Sequence, residues 1–118
     1  MPTDTPRLRR PDVRAALVGV AEKVAQTLPQ KAPEKTQLSR LVTVAGQASC
    51  GAEIANYLRY QAARGQWPLK ETDAAIDAFE KTLREQSLEA ADEVEAWRLF
   101  AGYLSRARQY LVAKEGSR

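Results

Sequence analysis

Six apolar residues near the end of the chain, Val94, Trp97, Phe100, Leu104, Ala107 and Leu111, stand three, three, four, three and four positions apart. That spacing returns a side chain to one side of an α-helix at every turn and scatters it over both faces of a strand. The segment is therefore predicted to be one helix from about 88 to 114, with Ser87 as its cap. At 1.5 Å per residue such a helix is roughly 40 Å long, which leaves part of it beyond the core that so small a domain builds for itself. Its charges agree with the helix dipole: Glu89, Asp92 and Glu93 lie near the positive start, and Arg106, Arg108 and Lys114 toward the negative end.

The remaining segments repeat the same periodicity between proline and glycine breaks. Val13, Leu17, Val20, Val24 and Leu28 predict a helix over about 11 to 28, opened by Pro11 in the first turn, where a missing N–H costs nothing. Pro29 and Pro33 bracket a linker. Thr36 reads as the cap of a second helix carrying Leu38, Leu41, Val42, Ala45 and Ala48. The run Leu41 to Val44, β-branched from Val42 on, suits a strand in isolation, but no second strand candidate exists to pair its backbone. The stretch Cys50 to Trp67 is the most clearly two-sided: Ile54, Ala55, Leu58 and Ala62 form a core stripe, and Tyr57, Tyr60 and Arg64 project opposite it. Gly65 ends it as a left-handed cap and Pro68 breaks the chain. Leu69, Ile76, Phe79 and Leu83 define a fourth helix. The expectation is an all-α, five-helix bundle with a long C-terminal helix, as a single domain over 11–118 behind a loosely ordered basic arm over 1–10. Trp67 and Trp97 read as core anchors, Cys50 as a small residue at a helix start, and Gly102 and Gly19 as places where another backbone approaches closely.

Histidine is absent and Cys50 is the only cysteine. These two facts remove the Ser-His-Asp and Cys-His arrangements and the tetrahedral zinc sets and leave carboxylate, lysine or tyrosine chemistry; with no catalytic signature of that kind in the sequence, no catalytic residue, metal or cofactor is expected. The opening residues hold no apolar run of the kind a signal peptide or membrane span requires, and one cysteine suits a reducing compartment, so a cytoplasmic protein is expected. Charge is segregated. Residues 71 to 95 carry nine acidic and two basic side chains, a balance of −7, and the rest of the chain sums to +10. Clustered like charge attracts a polyanion or an oppositely charged neighbour.

Two uses of these charges are open. Arg59, Arg64, Arg98 and Arg106 suit contacts to the phosphates of RNA or single-stranded DNA, with Tyr57 and Tyr60 stacking on bases. Against this, tyrosines on a covered helix are ordinarily packed, with only their hydroxyls wet. Arg106 and Arg108 stand about 200° apart around their helix and do not share a groove. Asp73, Asp77 and Glu80 lie on one face of the fourth helix, as in magnesium-dependent helical nucleotide hydrolases. Such chemistry needs a facing acidic set, for which Glu89 and Asp92 are poor candidates. The stripe better suits the basic face of a neighbouring copy, in a head-to-tail contact. The alternative to nucleic-acid binding is a protein–protein adaptor or homodimer, pairing the last helix through Trp97, Leu104 and Leu111.

With its internal Ala55-Asn56-Tyr57-Leu58-Arg59-Tyr60-Gln61 helix and closing Trp97-Arg98-Leu99-Phe100-Ala101-Gly102-Tyr103-Leu104 helix, this small, basic, helical chain resembles the small subunits of CRISPR antiviral effector complexes, particularly type III. The resemblance covers roughly residues 35 to 113 in pattern. It implies a non-catalytic subunit that stacks in several copies along a guide–target duplex and contacts the backbone without reading sequence, beside neighbouring subunits of a larger ribonucleoprotein.

Overall fold

The long C-terminal helix is the element on which most of the others pack. The computed structural model describes residues 6–116, and over them the chain is all-α. Five helices follow one another: α1 (Pro11–Thr27), α2 (Lys35–Gln47), α3 (Gly51–Ala63), α4 (Leu69–Glu85) and α5 (Ala90–Gly116). α5 packs on α1, α2 and α3, and α4 closes the bundle against α1 and α3. Val18 in the middle of α1 shares a groove with Tyr103, whereas the end of α1 at Leu28 borders Arg108 and Val112, so α1 runs in the same direction as α5. α2 runs the opposite way: Ala45 near its end meets Arg98, while Leu38 near its start borders a hollow with Val112. None of the described helices is long and apolar enough to cross a membrane.

An aromatic knot fixes the centre. The Phe79 ring lies 4.4 Å from both Trp97 and Phe100, and Trp97 meets Phe100 edge-on at 5.7 Å. Tilted and edge-on aromatic pairs add about 0.5–1.5 kcal/mol each beyond the area they bury. Because Trp97 and Leu104 are fully buried within this chain, the seam expected to pair two copies through Trp97, Leu104 and Leu111 is instead the domain's own core. Leu111 is only half-buried, since the end of α5 runs past most of its neighbours.

Helix ends supply the main departures from the sequence reading. Arg7–Arg9 form a 3-10 turn that buries Leu8, and the Arg14 guanidinium donates to the Leu8 carbonyl at 2.7 Å. Residues 6–10 are thus docked rather than loosely ordered, and the first five residues of the arm lie outside the described residues. α2 starts at Lys35, so its cap position is Glu34, two residues before Thr36, with no side-chain cap hydrogen bond. Ser87 does not cap α5 but ends α4. Its φ of 55° is left-handed, its N–H reaches the Arg84 carbonyl at 3.0 Å, and the Leu88 N–H reaches the Leu83 carbonyl at 3.0 Å. This is a Schellman closure with serine where glycine is preferred. Exchanging Ser87→Gly removes the steric cost of that conformation at the expense of some chain entropy. A gain of about 0.5–1 kcal/mol in urea unfolding is expected, and a loss would mean that the serine side chain makes a compensating contact.

Glycine also acts where it was not expected. Neither Gly19 nor Gly102 meets another backbone; the nearest group to Gly102 is the Arg106 guanidinium of its own helix. The close approach is at Gly51, where a Cβ would stand 2.8 Å from the Trp97 indole and collide with the Glu93 carboxylate. The missing side chain lets the start of α3 sit on α5.

Candidate nucleic-acid interface

The corner between α3 and α4 gathers cations and an aromatic ring on exposed backbone. α3 ends in a Schellman closure around Gly65 (φ 81°), with Gly65 N–H to Ala62 O at 3.0 Å and Gln66 N–H to Gln61 O at 2.9 Å. Trp67 is buried immediately afterwards and pins the turn, and the Gln37 amide donates to the Gln66 side chain at 3.3 Å. The backbone here is thus held in place, and α4 starts at once with Leu69 and Lys70. Arg59, Tyr60 and Arg64 are exposed on α3, with Lys70 of α4 beside Arg59. Tyr60 is 58% exposed and Leu69 66% exposed. The Arg64 guanidinium lies 5.6 Å from the Tyr60 ring centroid, one helical turn away. A shallow hollow of about 470 Å³ opens between Arg59, Leu69, Lys70 and Asp73.

One carboxylate moderates the corner. Asp73 accepts from Arg59 at 3.1 Å, with both side chains more than half exposed. Exposed ion pairs contribute about 0.2–1 kcal/mol, so a phosphate can displace this one at small cost. Arg64 and Lys70 form no ion pair among the described residues. Of the acidic stripe, Asp73 is therefore already neutralised by α3. Among the described residues no group of carboxylates, cysteine or histidine is arranged to hold a metal ion.

The other expected site residues go elsewhere. Tyr57 is half-buried and packs against the core. Arg98 is drawn inward: its Nε donates to Ala45 O at 2.9 Å, one terminal nitrogen to Ala48 O at 3.3 Å and the other to Glu95 at 3.1 Å. It closes the carbonyl end of α2, which has no glycine cap of its own, and is not free for a phosphate. Arg106 lines a groove between α1 and α5 and lies 5.5 Å from the Tyr103 ring centroid. The structure thus pairs Arg64 with Tyr60, sets Arg59 one residue away against α4, and leaves Arg98 and Arg106 apart from them.

Sequence reasoning missed two residues. Lys70 follows the break at Pro68, and its place beside Arg59 shows only once α3 and α4 fold back. Arg108, placed by the sequence among the charges toward the end of the last helix, is 6% exposed and donates to Leu28 O, Pro29 O and Gln30 O at 3.3, 2.7 and 3.0 Å. Burial lowers its pKa from the ordinary arginine value, with Glu115 opposing the shift, yet arginine remains charged in proteins. Three carbonyls at the end of α1 are the partners of this cation.

Compared with known proteins, the chain matches no family model, no curated protein and no solved structure.

Proposed function

We infer that the chain is a non-catalytic helical subunit that holds a single-stranded RNA or DNA backbone at the α3–α4 corner, as part of a larger nucleoprotein. The supporting observation is the run of exposed cations at this corner, with Arg59 and Lys70 lining one hollow, Arg64 lying against the exposed Tyr60 ring, and Asp73 as the carboxylate bordering the hollow among the described residues. The cations neutralise phosphates, and the tyrosine offers a face on which any base stacks, so sequence is not read. This role shares with the resemblance to CRISPR small subunits a non-catalytic backbone contact that does not read sequence and neighbouring subunits as protein partners; it differs in taking a single strand, whose free bases can stack, rather than a guide–target duplex.

Binding to unrelated single strands should weaken with salt at a slope of roughly −2 in log K against log salt, about −0.7 for each of the three cations. Fluorescence anisotropy with two RNAs of unrelated sequence reads both the slope and the indifference to sequence. Tyr60→Ala should cost about 1–3 kcal/mol of binding, whereas Arg64→Ala should flatten the salt slope by about 0.7. Retention of neither RNA at low salt, or equal loss from Arg40→Ala on α2, would remove the corner from consideration.

A further inference from the structure

A second surface carries an inference that does not depend on nucleic acid. Between α1 and α5 lies an open groove of about 510 Å³, walled by Val18 and Glu22 on one side and by Tyr103, Arg106, Tyr110 and Leu111 on the other. Tyr110 is 65% exposed, a large ring left in water beside apolar neighbours. Glu22, on the α1 wall, forms no hydrogen bond or ion pair among the described residues. Arg106, on the α5 wall, lies against the Tyr103 ring and forms no ion pair with a carboxylate among the described residues. An apolar trough edged by one unpaired acid and one unpaired base is complementary to itself.

We propose that this groove is a two-fold interface with a second copy of the chain, in which Glu22 of each copy pairs with Arg106 of the other across the joined Tyr103 and Tyr110 rings. The geometry selects one of two symmetric arrangements. α1 and α5 run in the same direction, so a two-fold axis lying along the groove places α1 of each copy over α5 of the other. Acid then faces base twice, and each Tyr110 ring covers the α1 wall of the second copy. An axis lying across the groove places α1 on α1, setting Glu22 against Glu22 and Arg106 against Arg106, which electrostatics disfavours. The contact differs from the head-to-tail stacking suggested by the acidic α4, where Asp73 is already occupied by Arg59. It shares no residue with the α3–α4 corner.

Sedimentation of the full chain with charge-swap variants tests this. The parent protein should self-associate to a dimer, and Tyr110→Asp should leave a monomer with unchanged circular dichroism. Glu22→Arg alone sets a second guanidinium against Arg106 at both contacts, and Arg106→Glu alone places two acids together twice. Each should weaken the dimer by about tenfold or more. Mixing the two variants restores unlike pairs at both positions, so a heterodimer as tight as the parent dimer should form. Two results overturn the proposal. One is a parent chain still monomeric at about 1 mM, where even a millimolar dissociation constant would show. The other is single swaps that leave the dimer unchanged, which is the signature of α1 lying on α1.

Discussion

Alanine at position 108 is expected to lower the unfolding free energy by about 2–4 kcal/mol, whereas alanine at Arg59 should change it by less than about 1 kcal/mol. The sequence treats these two residues alike, as helical arginines in a basic chain. Arg108 is buried and satisfies the carbonyls of Leu28, Pro29 and Gln30. Removing it strands three acceptors at the end of α1 and opens a cavity where its stem packed. Release of a desolvated cation offsets part of the loss, which is why the expected cost is smaller than three charge-assisted hydrogen bonds added together. Arg108→Met separates the contributions, because it keeps an apolar stem and removes the donors. Its cost should fall between those of alanine and the parent residue. Urea unfolding with constant m-value reads all three variants. If Arg108→Ala proves no more harmful than Arg59→Ala, the fork does not hold α1, α5 and the linker between α1 and α2 together.

The second large effect is expected at Gly51. A methyl group there overlaps the Trp97 indole at 2.8 Å, and that ring is fully buried against Phe79 and Phe100. The Glu93 carboxylate can swing aside, being the end of a flexible side chain, but the indole cannot move without disturbing the aromatic knot. Overpacking of this kind costs about 1–3 kcal/mol, against which alanine recovers up to about 1 kcal/mol of helix propensity. Gly51→Ala should therefore destabilise by about 1–2 kcal/mol and Gly51→Val by more, with the change visible in tryptophan fluorescence as α3 shifts on α5. A Gly51→Ala protein as stable as the parent would show that α3 lifts off α5 freely. In that case the α3–α4 corner would not be held on a rigid support.

The candidate site was legible in part, and the reason differs from residue to residue. Tyr60 and Arg64 lie on the outer face of α3 because the core stripe of the same helix is written in its own spacing. Arg59 lies on that face too, but its pairing with Asp73 depends on the reversal at Gly65 and Trp67. Arg98 and Arg106 sit eight positions apart on one helix and read as equivalent, yet one faces the end of α2 and the other the groove with α1. Ser87 reads as the start of α5 because serine caps helix starts well, and only the backbone turn shows it closing α4.

Periodicity, proline and glycine act over a few residues, so the sequence by itself determined the helical class, the number of helices and nearly all their breaks. It also determined that Trp67, Trp97 and Phe79 lie inside. The fate of Arg98 and Arg108 was decided by the tertiary structure. A guanidinium is claimed by whatever carbonyls or carboxylates folding brings within 3 Å or so, and the carbonyl partners of Arg98 and Arg108 lie 50 to 80 positions away in the chain. Which positive charges remain free to meet a partner is therefore a property of packing, and no local pattern records it.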